Sequence, residues 1–280
     1  MNRLVAVMAV TAALCAGAQA AKPPVPRFRH VVVVVMENKA KADVLGNPDA
    51  PNFSALASRY AVLSRYGGVA HPSLPNYLAL VSGSTQGINS DCTDCLVSAR
   101  NLADTLEHAH LTWKAYAEKI PRLGWMGAYS YRYVKRHVPF LYFRDILARR
   151  ARLRHVVPLK HLSTDLGAHR LPDFALVVPD MCHDMHDCPV AVGDTWLGRF
   201  LPPLLKLPNS VVFVVFDEPP GLYPPAAPVP ALALGRMVRP GSQYSRKTSH
   251  YGLLRTIEDA WKLPRLGLSK RAAPITGIWR

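Results

Sequence analysis

The longest unbroken runs of β-branched and other apolar residues in this chain are His30–Met36 (HVVVVVM) and Ser210–Phe216 (SVVFVVF). A strand with one wet face alternates apolar and polar residues. Runs without that alternation suit strands covered on both faces, as in the middle of a parallel sheet. Phe174–Val178 is a shorter run of the same kind, and Leu111–Tyr116 reads as a strand. Elsewhere the pattern turns helical. Pro51–Tyr60 puts Leu56 and Tyr60 on one face, and Leu74–Val81 and Asn101–Ala109 read as helices. Gly193–Leu205 spaces Trp196, Phe200 and Leu204 at helical intervals, and Ser249–Leu263 closes the series. Strands alternating with helices predict an α/β fold with a mostly parallel central sheet flanked by helices. No repeat is visible, and Pro219–Pro230 predicts a stiff surface loop.

The N-terminus changes the picture of where the chain works. Met1–Ala20 reads as a signal peptide: Arg3 supplies the positive start, Leu4–Cys15 the apolar stretch, and Ala18-Gln19-Ala20 the small-x-small cleavage pattern. The stretch is short of the about 20 residues that cross a bilayer, and bulky Leu14 argues against lipid attachment at Cys15. The expected organisation is a leader, 1–20, and a single domain, 21–280, exported to the periplasm or the exterior, with no membrane span in the mature chain. Apart from Cys15, the cysteines form two close groups, Cys92 with Cys95 and Cys182 with Cys188. An even number in an exported protein predicts disulfides. Several connectivities are open and pairing within each group is expected; the spacing does not match paired zinc knuckles.

The 280 residues are 49% hydrophobic and only 19% charged, with 34 Lys+Arg against 19 Asp+Glu and a net charge of +15. This composition excludes disordered, collagen-like and low-complexity classes and provides for a sizeable core. The positive excess points to anionic partners without choosing among phosphate esters, nucleic acid and membrane surfaces. Arg144, Arg149, Arg150, Arg152 and Arg154 form a basic run. No nucleic-acid-binding motif accompanies it, so a solvated helix face is expected there rather than a nucleic-acid site.

Candidate chemistry sits at strand ends. Glu37-Asn38 follows the first long strand and Asp217-Glu218 the second. Ligand sites of open α/β sheets lie beyond the carboxyl ends of the strands. Either dipeptide alone suits a helix cap or loop start; together their oxygens suit a divalent metal ion. In His71-Pro-Ser-Leu-Pro-Asn-Tyr77, Ser73 stands where a helix starts. It is either a cap or, beside a metal, a nucleophile needing no histidine base. Asn76 could donate to a phosphate oxygen. Asp180 to Cys188 concentrates Asp180, His183, Asp184, His186 and Asp187 around two cysteines, a set for metal binding or leaving-group protonation or else a solvated loop. His250 stands alone before the last helix.

Five segments, HVVVVVMEN, HPSLPNYLALVSGSTQG, PDMCHDMHDCPVAVGDTWL, VVFVVFDE and SHYGLLRTIEDAWKLP, occur in that order. Together they resemble the phosphoesterase family of acid phosphatases and phospholipase C-type enzymes within the alkaline phosphatase superfamily. The resemblance implies an alkaline phosphatase-like sheet with a metal at its C-terminal edge. Glu37, Asn38, Asp217, Glu218 and Ser73 would be ligands of a divalent ion, with Ser73 also the nucleophile and Asn76 holding the phosphoryl group. His186 and His250 would assist the leaving group, while Asp184 and His183 would contact phosphate or form a second metal site. The implied function is a secreted, metal-dependent phosphoesterase acting on phosphate-ester small molecules or phospholipid headgroups. Two departures stand out: Pro219-Pro220 where the family has glycines, which brings the position of Glu218 into question, and Lys39-Ala40-Lys41 after Asn38. A second reading is a catalytically weakened phosphoesterase-fold protein that binds anionic ligands.

Overall fold

The structure, a computed structural model, describes residues 24–280; the signal peptide expected at Met1–Ala20 lies outside them. Eight strands form the central sheet: β1 (His30–Met36), β2 (Ala61–Leu63), β3 (Trp113–Ala117), β4 (Val156–Pro158), β5 (Phe174–Val178), β6 (Ser210–Phe216), β7 (Ala231–Leu234) and β8 (Gln243–Tyr244). Their order is β8-β2-β7-β6-β1-β5-β3-β4. The long valine runs occupy the middle, where β1 pairs in parallel with both β5 and β6. Every residue of β6 and the Val31–Met36 stretch of β1 are buried, as runs without alternation require. Only β7 runs antiparallel to its neighbours, so the sheet is mixed with a parallel majority. The expected α/β architecture is borne out.

Helices cover both faces. Helix α1 (Pro51–Arg59) opens on a proline, whose fixed φ suits the first turn. Its free amides at Asn52 and Phe53 donate to the Asp194 carboxylate at 3.1 and 2.7 Å, a negative charge set at the positive helix end. Helix α2 (Ser73–Ser82) is buried at every position and stops at Gly83, whose φ of +70° is the left-handed turn that glycine provides at helix ends. Helices α3 (Leu102–His108), α4 (Lys160–Gly167), α5 (Val190–Phe200) and α6 (His250–Trp261) complete the layers. Helix α5 begins three residues before the expected Gly193 and yields to a separate turn at Pro202–Leu205, because Pro202 cannot continue the helix ladder. Both disulfides close within their groups, Cys92–Cys95 and Cys182–Cys188. Among the described residues no helix is long and apolar enough to cross a membrane.

The basic run at 144–154 departs from a solvated face at one position. Arg152 is 5% exposed, and its guanidinium contacts Asp104 at 2.8 Å, Glu107 at 3.0 Å and also Asp145. Without it, three acids on two segments repel one another. Arg152→Ala is expected to lower stability by about 2 kcal/mol, below the about 3–5 of a fully buried pair because the acids keep some water. Thermal unfolding would read this as a lower Tm with hydrolysis unchanged at low temperature.

Candidate active site

The carboxyl ends of four adjacent strands each deliver an acid: Asp217 after β6, Glu37 after β1, Asp180 just after β5 and Glu118 after β3. In-register parallel pairing of β1 and β6, to Met36 opposite Phe216, brings the first two side by side. The Asp217 amide donates to the Met36 carbonyl at 3.0 Å, and the Asn38 amide donates to Asp217 Oδ1 at 3.2 Å. Asn38 adopts a φ of +47°, a left-handed conformation that asparagine tolerates better than most residues. The Glu37 amide donates to the Asp184 carbonyl at 2.9 Å, which draws the 180–188 loop into the same place.

Helix α2 points its first turn at these acids. Ser73 Oγ donates to Glu37 Oε2 at 3.0 Å and lies 3.5 Å from Glu218 Oε1. One turn on, at the spacing that shares a helix face, the Tyr77 hydroxyl donates to Glu37 Oε1 at 2.5 Å. Glu218 also receives His71 Nδ1 at 2.8 Å and Asn76 Nδ2 at 3.2 Å. Pro219-Pro220 therefore do not carry Glu218 away from Ser73.

Glu37, Asp184 and Asp217 are almost fully buried and Glu218 nearly so. Among the described residues none of the four pairs with a lysine or arginine; their charged-type partners are His71 and His137. Burial, reinforced by the charge of neighbouring carboxylates, pushes Glu37 and Asp184 well above the usual range. Burial likewise raises Asp217 to about 7 and, with the added repulsion of Asp217, Glu218 to about 9. Three oxygens here, Asn38 Oδ1, Asp184 Oδ2 and Asp217 Oδ2, are buried with no hydrogen-bond partner. Uncompensated carboxylates with unsatisfied oxygens form a donor set that suits a hard or borderline divalent cation.

The other expected site residues divide. Asp184 joins the cluster: its Oδ1 takes the His186 amide at 2.8 Å, and its Oδ2 lies 3.5 Å from His137 Nδ1. His186 stands at the partly open rim, with Nδ1 against Asp187 Oδ1 at 2.7 Å and its ring 6.4 Å from that of His137. Asn76 is spent elsewhere. Its Oδ1 accepts the Val69 and Ala70 amides, and its Nδ2 faces the Ala70 and Pro72 carbonyls as well as Glu218. The amide clamps the 69–72 turn. His250 is enclosed within the fold beside the same acids. Its ring nitrogens meet the Tyr66 hydroxyl at 2.9 Å and the Asp217 carbonyl at 2.6 Å, and burial lowers its pKa to about 4. A neutral ring with both nitrogens engaged buttresses the Asp217 backbone through its carbonyl. His183 turns to Glu118 and Asp180 instead of the Ser73 cluster.

Residues that the chain pattern did not reveal also appear. His137, buried and stacked on Tyr77 with ring centroids 5.0 Å apart, brings Nε2 to 3.3 Å from Glu37 Oε1; nothing in Lys-Arg-His signals it. Tyr77 was within reach of helical spacing from Ser73, and Glu118 of the strand-end rule. Gly68 is tightly placed: a Cβ there would meet the Asp217 carbonyl at 2.8 Å and Asn76 Oδ1 at 3.2 Å. Gly68→Ala is expected to cost about 1–3 kcal/mol of stability and to lower kcat about tenfold or more by displacing Asp217. Steady-state assays beside thermal melts measure both.

Comparison with known proteins gives a consistent set. The model of the Phosphoesterase family matches residues 43–264. A phosphatidylinositol-3-phosphatase of Mycobacterium tuberculosis is 35% identical over 260 residues, 91% of this chain and 84% of its own. A phosphate-repressible acid phosphatase of Penicillium chrysogenum is 30% identical over 228 residues, 77% of this chain. The chain spans only 55% of that fungal enzyme's length. Among solved structures, a Vibrio parahaemolyticus protein of the alkaline phosphatase superfamily superposes with a TM-score of 0.58 at 14% identity, covering 87% of this chain and 69% of its own.

Proposed function

We propose, from the premise that this chain belongs to the Phosphoesterase family and is a phosphoric ester hydrolase, that it cleaves phosphate esters through Ser73 as nucleophile in a metal-dependent site. The observation that carries this reading is Ser73 Oγ at the first turn of a buried helix, directed at Glu37 and within reach of Glu218. A divalent cation held by Glu37, Asn38, Asp217 and Glu218 would supply positive charge to lower the serine pKa and offset charge on the phosphoryl oxygens.

The chain's own groups account for the remaining work. In the first step Ser73 Oγ forms a bond to phosphorus as the bond to the ester oxygen breaks, and the serine proton leaves along the hydrogen bond to Glu37. The positive end of α2 favours the serine oxygen as it gains negative character. Tyr77 holds Glu37 from its other oxygen, with the His137 ring packed beside it, so the carboxylate faces Ser73 in a fixed orientation. His186, at the rim with Nδ1 held by Asp187, protonates the departing oxygen through Nε2. Water, giving a proton back to His186, then attacks phosphorus; the Oγ–P bond breaks, Ser73 regains its proton from Glu37, and inorganic phosphate leaves.

The names of the relatives favour monoesters, and the mycobacterial one extends the substrate range to a phosphorylated inositol lipid. Two disulfides within a short span each suit an oxidising compartment, as export through the leader 1–20 requires. The test is a panel of aryl, sugar and inositol-lipid phosphates with matched diesters, run on chelator-treated protein and again with added divalent ions. Ion-dependent release of phosphate from monoesters is expected. Hydrolysis that is indifferent to chelation, or confined to diesters, would overturn the reading.

A further inference from the structure

We propose that Glu118, Asp180 and His183 form a second divalent-cation site, separate from the Ser73 cluster and built on the neighbouring strand ends of β3 and β5. One ligand atom from each of the three lies within 4.8 Å of the others. His183 Nδ1 is 2.9 Å from Glu118 Oε2 and 3.6 Å from Asp180 Oδ2. For zinc-type bonds of about 2.0–2.1 Å, neighbouring tetrahedral ligands stand roughly 3.3 Å apart, and these two separations bracket that value.

An ordinary ion pair between His183 and Glu118 leaves one atom unexplained. Asp180 Oδ1 accepts the amides of Cys182 and His183 at 3.0 and 3.1 Å, which fixes the carboxylate. Its Oδ2 is then buried, aimed at His183 and without a hydrogen-bond partner. Among the described residues no lysine or arginine pairs with Glu118 or Asp180, so two carboxylates share one imidazole. A cation would satisfy the stranded oxygen and reverse the charge imbalance together. One imidazole nitrogen with two carboxylate oxygens suits ions of the zinc and manganese class. Side-chain exposures of 29% at His183 and 17% at Glu118 give entry from solvent to the buried Asp180.

The surroundings hold these groups where they stand. The Cys182–Cys188 bond brackets the loop, and Trp196 of α5 stacks on His183 with ring centroids 5.9 Å apart. Gly193 of the same helix leaves room for the loop, since a Cβ would come within 2.7 Å of the His183 carbonyl. The Asp184 amide donates to the Asp180 carbonyl at 2.9 Å. A cation at Asp180 therefore pins the segment that carries Asp184 and His186 into the Ser73 cluster.

The experiment is equilibrium dialysis of chelator-stripped, full-length protein against Zn²⁺ and, separately, Mn²⁺, counting bound equivalents per chain. Wild type is expected to take up two equivalents. His183→Ala and Asp180→Asn are each expected to lose one, and Asp217→Asn to lose the other while keeping this one. Zinc is also expected to change the tryptophan emission of wild type through Trp196, and to leave that of His183→Ala unchanged. Failure of the function proposed above would appear differently, as a single wild-type equivalent lost in His183→Ala and retained in Asp217→Asn. The second site is overturned if wild type binds one equivalent that Asp217→Asn removes, or if His183→Ala and Asp180→Asn bind as many equivalents as wild type. Should Asp180→Asn not fold, Glu118→Gln serves in its place and is likewise expected to lose one equivalent; should neither fold, the wild-type count with Asp217→Asn decides.

Discussion

Ser73→Ala is expected to lower kcat for phosphate monoesters by about a thousandfold or more, some 4 kcal/mol of transition-state stabilisation. Melting temperature should barely change, because Ser73 Oγ makes one strong hydrogen bond, to Glu37, and its loss leaves Glu37 with Tyr77 as donor. The contrast with Asn76→Ala makes the result diagnostic. Asn76 lies three residues on, but its amide clamps the backbone of the preceding 69–72 turn through both its oxygen and its nitrogen, so its loss should lower Tm and kcat together. Stopped assays that trap phosphate on the protein add a direct reading: wild type should carry label on Ser73 after an acid quench, and the alanine variant none. Near-wild-type turnover by Ser73→Ala would remove the serine from the mechanism.

Chelation is expected to lower hydrolysis by about a hundredfold or more, and to leave a chain whose stability falls as pH rises. The sign follows from proton counting. In the folded, metal-free chain Asp217 keeps its proton to about pH 7 and Glu218 to about pH 9; unfolded, such groups release theirs near pH 4. The folded state thus binds more protons between those limits. Its advantage is complete below about pH 4 and is lost as pH rises through 7 and then 9. Calorimetry on chelated protein should record Tm dropping by roughly 5 °C or more between pH 5 and pH 8. Added divalent ion should restore most of that loss, since a cation compensates the same carboxylates. A metal-free chain with equal Tm at both values would mean that the four acids are not in the electrostatic conflict described. Asp217→Asn should flatten the pH dependence and abolish activity together.

The middle of the sheet was readable along the chain because β1, β5 and β6 are buried on both faces, and such burial writes itself as uninterrupted apolar residues. Strands β2, β4, β7 and β8 are two to four residues long. They exist because a longer neighbour offers a ladder to pair with, so no local pattern announces them. The same division runs through the site. Glu37 and Asp217 were findable because each ends a recognisable strand, and Ser73 because prolines frame the start of its helix. The contacts of His250 and His137 come from residues far away in sequence. His250 meets the Tyr66 hydroxyl across 184 positions, and His137 meets Glu37 and Asp184 through a fold that only tertiary packing creates. For Asn76 the residue type alone does not show that its amide also clamps a turn, since those backbone partners are set by the fold. Arg152 looked like its neighbours in a basic run, and only packing shows that it faces three acids.

Helix α2 bears on how this enzyme can change. It carries Ser73, the proposed nucleophile, yet all of its positions are buried, so the element assigned to the reaction is also part of the structural centre. Variation there is punished twice, and selection for new substrates has almost no neutral ground on which to work. The loop at 219–227 is different: Leu222 is 99% exposed and Tyr223 is 48% exposed, while the Tyr223 carbonyl still meets His71 beside Glu218. Diversity among descendants of this chain should accumulate in that segment, with reaction chemistry inherited intact and substrate range drifting at the rim.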